Sequence, residues 1–201
     1  MQPGVEEITK KGFEREKVLP SLIIGVIIVV FAVLLPLVNR SISSERALEK
    51  GSTLDVGLGV SFKPAEEWNL HTDSTSPGNN DAGGYISLSK AGLVFYVKAE
   101  KYDDDLEAFH NLISDQFNKS SFRGFSSIEK QKITTKTGYQ GFSQLFSFNG
   151  VEGQLSALTE EGIGISFIAR GTDGVYFRYY TEIQDMIGSL VVMNGEESRH
   201  D

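Results

Sequence analysis

Residues 18–38 form an unbroken apolar run, VLPSLIIGVIIVVFAVLLPLV, opened by Val18 and closed by Val38 without one charged side chain. A helix needs about 20 apolar residues to cross about 30 Å of hydrocarbon, so the run reads as a single transmembrane helix. The β-branched residues at its centre are no obstacle, because a bilayer offers the backbone no competing water. Pro20 falls in the first turn, where its missing N–H costs nothing. A cleaved signal peptide would carry an apolar region of only about 7–15 residues, followed by small residues at the cleavage site. Here the run ends Leu-Pro-Leu-Val-Asn-Arg with no Ala-x-Ala, so an uncleaved signal-anchor is expected.

Charge suggests the orientation. Lys10, Lys11, Arg15 and Lys17 precede the run, and Arg40, Arg46 and Lys50 follow it. This small excess favours a cytoplasmic N-terminus. The 17-residue tail holds four of the 19 basic and four of the 27 acidic residues, so the remaining 15 and 23 carry the entire net charge of −8. The expectation is a cell-membrane protein with a cytoplasmic tail at 1–17, the span at 18–38 and a linker at 39–52. An acidic extracytoplasmic domain follows at 53–193, then a flexible tail at 194–201. Only one domain of ordinary size fits in that length. The chain has no Cys, which excludes disulfides, thiolate metal sites, a catalytic thiol and a lipidated cysteine.

Beyond residue 52 the chain alternates short β-rich runs with Gly, Asn and Asp. Strands are expected at 53–56, 59–63, 68–72, 85–90 and 92–100. The polar stretch HTDSTSPGNNDAGG at 71–84 reads as a mobile loop. Leu93, Phe95 and Val97 share one strand face and Val94, Tyr96 and Lys98 the other, as in a central strand covered on both sides. Residues 103–119 form a helix with Leu106, Phe109, Ile113 and Phe117 on one stripe, widened by Leu112. Asp103 or Asp104 is expected to cap it. A more exposed strand spans 127–135. Strands at 139–148 and 154–159 flank Asn149-Gly150, a strong hairpin signal, and Glu160-Glu161-Gly162 leads to a third strand at 163–170. Residues 173–190 read as one closing helix, starting at 173 or nearer 175. This order points to an α+β fold, an antiparallel sheet in an α/β/α sandwich.

Motifs for chemistry are sparse. His71, His110 and His200 lack ligand spacing, and His110 reads as half-exposed on its helix. Asp103-Asp104-Asp105 has no calcium-loop pattern, and Gly57-Leu58-Gly59 and Gly162-Ile163-Gly164 lack the third glycine of a phosphate loop. No metal or cofactor is expected. Lys130, Lys132 and Lys136 share parity but lie in an acidic domain, so they read as a solvated strand face and not a nucleic-acid site. Tyr176, Phe177, Tyr179 and Tyr180 cluster on the closing helix. Trp68, Tyr176, Tyr179 and Tyr180 are the candidates to line a pocket, with core packing as the competing reading.

Gly59-Val60-Ser61-Phe62-Lys63-Pro64 followed by Trp68 resembles the opening of Mog1/PsbP-like domains, and Met186-Ile187-Gly188-Ser189-Leu190 resembles their closing helix. The resemblance covers residues 53–192. It implies an antiparallel sheet with helices on both faces, serving as a partner-binding or accessory module without shared catalytic residues. A membrane-anchored bacterial protein is the corresponding expectation. The resulting reading is a non-enzymatic binding domain, whose partner is another envelope protein or a small apolar ligand. One alternative is an envelope hydrolase, which would need His71 or His110 within reach of a Ser or carboxylate. The other is a structural subunit of a membrane complex. Gly25 is the only glycine in the span, so no G-x-x-x-G pair supports helix dimerisation there.

Overall fold

The computed structural model describes residues 44–120, 126–127, 129–172 and 174–193. The expected span 18–38 and the tails at 1–17 and 194–201 lie outside them. Among the described residues no helix is long and apolar enough to cross a membrane.

Three short strands open the domain: β1 at Glu45–Ala47, β2 at Leu54–Gly57 and β3 at Val60–Phe62. Then come β4 at Asn69–His71, β5 at Tyr85–Lys90 and β6 at Leu93–Lys101. Helix α1 spans Leu106–Ser120. Strands β7 at Ser126–Ser127 and β8 at Gln131–Thr134 precede a meander of β9 at Gln140–Phe148, β10 at Val151–Glu160 and β11 at Ile163–Thr172. Helices α2 at Val175–Arg178 and α3 at Tyr180–Gly188 lead to β12 at Val191–Val192.

Nine strands form one antiparallel sheet in the order β1-β4-β5-β6-β11-β10-β9-β7, with β8 also paired to β9. A second sheet joins β12, β3 and β2. The predicted hairpin turn is two residues long: Asn149 and Gly150 both take positive φ, 47° and 74°. That geometry matches the right-handed twist of the flanking strands, so β10 begins at once at Val151. The main sheet ends in short strands, β1 on one side and β7 with β8 on the other, with β1 and most of β8 exposed, which limits edge-to-edge association.

The sheet separates two apolar clusters. On one face α1 lays Phe109, Ile113 and Phe117 against Phe146, Leu155 and Ala157. On the other, α2, α3 and the small sheet enclose Phe62, Trp68, Phe95, Phe167, Tyr176 and Ile183, among others. The expected layering of helices about an antiparallel sheet is therefore present, with the small sheet as an addition.

Several expectations change. Residues 45–47, read as linker, pair with β4. The capping residue of α1 is Asp105, whose Oδ1 accepts from Ala108 N at 2.7 Å. Leu112 faces outward, whereas His110 is buried, at 2% exposure. The closing helix is two helices, interrupted at Tyr179, whose φ is −106° and ψ 13°. The stretch 71–84 is tied down rather than loose. Gly78 N donates to Val56 O, Leu58 N to Asn79 O, and the Asn79 side chain accepts from Asp81 N and Ala82 N. A Cβ on Gly84 would collide with Gly78 N, Ser76 O and Val56 O, so the chain packs there as closely as backbone allows.

Candidate interaction surface

Helix α2 starts where β11 ends. Gly174, at φ 72°, donates its N–H to Glu152 Oε2 at 3.2 Å and turns the chain back over the sheet. This buries Tyr176 completely. Its hydroxyl donates to Gln154 Oε1 at 2.7 Å, and Gln184 Nε2 donates to the same oxygen at 2.6 Å. Gln154 Nε2 then donates to Ser156 Oγ at 2.8 Å, and Ser156 Oγ to Ser143 Oγ at 3.2 Å. A buried amide is costly unless paired, and here both ends of Gln154 are engaged. Burial, reinforced by Tyr180, pushes the Tyr176 phenol well above its ordinary value. This side chain is a donor locked into the scaffold.

At the helix break Tyr179 lies beneath Lys90, whose Nζ stands 5.3 Å from the ring centre. Lys90 donates to both carboxylate oxygens of Glu182, at 3.2 and 3.0 Å, and to Glu66 O at 2.9 Å. Trp68, fully buried, donates Nε1 to Glu182 Oε2 at 2.8 Å. One carboxylate thus ties α3 to the Trp68 indole and to the end of β5. The result is a rigid support for the two aromatic side chains that remain outside. Phe177 is 58% exposed and Tyr180 43%. Both rings meet Tyr176 edge-on, at 5.2 and 6.0 Å between centres.

The four residues expected from sequence to line a pocket therefore divide. Trp68 and Tyr176 are core anchors with satisfied polar atoms, Tyr179 is half-buried under a cation, and Tyr180 points outward beside Phe177. Lys90, Gln154 and Glu182 escaped sequence reasoning. A lone Gln in a β-rich run and a Glu on a helix carry no local signal of such partners.

Two open cavities lie elsewhere. One of about 360 Å³ is lined by Tyr102, Asp103, Asp104, Glu160 and Glu161 among others. The second, about 310 Å³, sits beside the start of α1 and is lined by Glu107, Lys132, Gln140 and Phe142 among others. Among the described residues no group of three or more His, Cys, Asp and Glu could hold a metal ion. The lysine stripe is partly engaged, since Lys130 bonds Glu107 at 2.6 Å and Lys136 bonds Asp185 at 2.7 Å. His71 Nε2 meets Glu45 Oε1 at 3.2 Å, and Ser89 Oγ donates to that same oxygen at 3.0 Å. The carboxylate stands between serine and imidazole, so Ser89 Oγ donates its hydrogen bond to Glu45 and not to a histidine nitrogen.

No protein-family model matches the sequence, and no curated protein sequence matches it. Solved structures do. The solution structure of PsbP from the cyanobacterium Synechocystis is 12% identical, with a TM-score of 0.51 over 76% of this chain and 99% of that one. The Ran-binding protein Mog1p of Saccharomyces cerevisiae is 9% identical, at 0.49 over 73% of this chain and 98% of that one. A Mog1 mutant structure is 10% identical, at 0.47 over 76% and 97%. The domain has the Mog1/PsbP-like fold that its opening and closing motifs resemble. At such identity the likeness concerns the fold alone.

Proposed function

We propose that this chain is a non-enzymatic accessory protein, held in a membrane by residues 18–38 and binding a protein partner outside the cytoplasm through the α2–α3 face. The observation that carries the reading is the exposed pair Phe177 and Tyr180, seated on a scaffold of buried, fully paired polar groups. Large rigid aromatics lose little conformational entropy on binding and are enriched where protein interfaces concentrate their energy. The fold supports the reading, since a PsbP-like domain suits an accessory module. The apolar run supports the anchor, and the basic residues before it support the orientation. Of the two kinds of ligand expected from sequence, the geometry favours a protein over a small apolar molecule. The inward aromatics are already packed, and those left free lie on an open surface.

Site-specific photocrosslinking in native membranes tests this. A photoreactive residue at position 177 is expected to give one discrete protein adduct. One at position 112, exposed on α1 across the sheet, is expected to give none. Equal labelling from both positions, or none from either, overturns the assignment of the face. Extraction of the chain by alkaline carbonate overturns the anchor independently.

A further inference from the structure

His110 is buried on the inner side of α1, with neither ring nitrogen in a hydrogen bond. Asn111 approaches the ring without hydrogen-bond geometry, and the Phe142 ring meets it edge-on at 5.8 Å between centres. Buried polar atoms are nearly always paired, so such a group calls for an explanation. The surrounding charges point to one. Lys130 stands over the Phe142 ring, 4.7 Å from its centre. Lys132 pairs in register with Phe142 and therefore shares its face. Glu107, one turn back on α1, is committed to Lys130 at 2.6 Å, and Asp105 is committed to capping Ala108. The strands beneath α1 present Phe142, Gln144 and Phe146 from β9, and Leu155 and Ala157 from β10, none of them charged. A second proton on His110 thus meets the Lys130 cation, while the Glu107 carboxylate is already engaged by that lysine.

The fold makes the consequence local. Among the described residues the cluster under α1 contains six buried residues, and the sheet separates it from the twenty of the cluster under α2 and α3. Segments held by few buried contacts open independently of the rest.

We propose that α1 is an acid-released element: protonation of His110 loosens residues 106–120 from β9 and β10 as a unit, baring Phe109, Ile113 and Phe117, while the α2–α3 face stays folded. Burial, and then Lys130, hold the His110 imidazole below its ordinary value of 6.5, against smaller opposing effects of Asn111 and Glu107. The sign follows. Above 6.5 the ring is neutral whether α1 is docked or open, and docking keeps its full stability. As pH falls below 6.5 the open state takes up the proton first, and docking weakens until the docked ring protonates too.

Hydrogen exchange of the full chain in mild detergent tests this, corrected for intrinsic rates, at pH 7.5 and pH 5. Protection across 106–120 is expected to fall about tenfold for each pH unit between the two titrations, while 180–188 keeps its protection. His110→Phe abolishes the acid loss. If that variant does not fold, Lys130→Met is expected to shrink the loss, because removing the neighbouring cation narrows the gap between the docked and open titrations and leaves the larger effect of burial. Unchanged protection of 106–120 at pH 5 overturns the proposal. So does a parallel loss at 180–188, or an acid loss that survives in either variant at full size.

Discussion

Replacing Tyr176 by Phe removes one hydroxyl from the buried chain Tyr176–Gln154–Ser156–Ser143 and leaves the ring in place. The cost is set by what the partner keeps. Gln154 Oε1 loses the 2.7 Å bond from Tyr176 but still accepts from Gln184 at 2.6 Å, so no atom is orphaned. The expected loss is that of one net hydrogen bond, about 1 kcal/mol, equivalent to roughly 2–4 °C in melting temperature for a domain of this size. Gln154→Leu removes the shared acceptor instead. It strands the Tyr176 hydroxyl in apolar surroundings and deprives Ser156 of its donor, at about 1–3 kcal/mol for each unpaired group. Gln154→Leu should therefore cost about three times as much as Tyr176→Phe. In the double variant the Tyr176 change removes the stranded hydroxyl, so it should add no cost and restore part of the loss, giving a coupling of at least about 1 kcal/mol. Thermal and urea unfolding followed by circular dichroism on the full chain measure all three. The reasoning is refuted if Tyr176→Phe costs more than Gln154→Leu, or if the two effects add.

Two further outcomes are expected. Gly84→Ala forces a Cβ onto the backbone atoms Gly78 N, Ser76 O and Val56 O and should destabilise by more than about 2 kcal/mol. Gly92→Ala, at φ +85° with no neighbour within 4 Å, should cost only the conformational penalty of about 1 kcal/mol, and the same melting assay compares the two. A chain beginning at Ser44 should be soluble, monomeric and rich in strand by circular dichroism. Aggregation or loss of the spectrum would show that the domain needs residues before 44.

What could be read ahead of the structure was what neighbours along the chain decide. Strands β5, β6 and β9 to β11 announced themselves through runs of β-formers between turn residues, and Asn149-Gly150 through its tolerance of positive φ. The α1 stripe of Phe109, Ile113 and Phe117 is buried as its spacing requires. The three residues of β1, all exposed, have no apolar alternation to betray them, and their pairing with β4 depends on a strand 24 residues away. The apolar stripe of the closing segment continues through position 179, so sequence periodicity shows one helix where the fold, with Tyr179 drawn under Lys90, has two. The polar loop looked free because composition reports solvent preference. Its glycines instead mark where backbone meets backbone.

The same division holds for the candidate surface. Periodicity and turn chemistry operate over a few residues, and so local sequence was enough for the apolar run at 18–38, the helix stripes, the hairpins and the aromatic cluster at 176–180. Which aromatics face inward was decided by contacts with no local trace. Glu182 reaches Trp68 across 114 positions and Lys90 across 92. Gln154 meets Tyr176 and Gln184 only when α2 and α3 fold back over the sheet. Such partners come together through chain collapse and the pairing of buried polar atoms, and those same contacts leave Phe177 and Tyr180 on the outside.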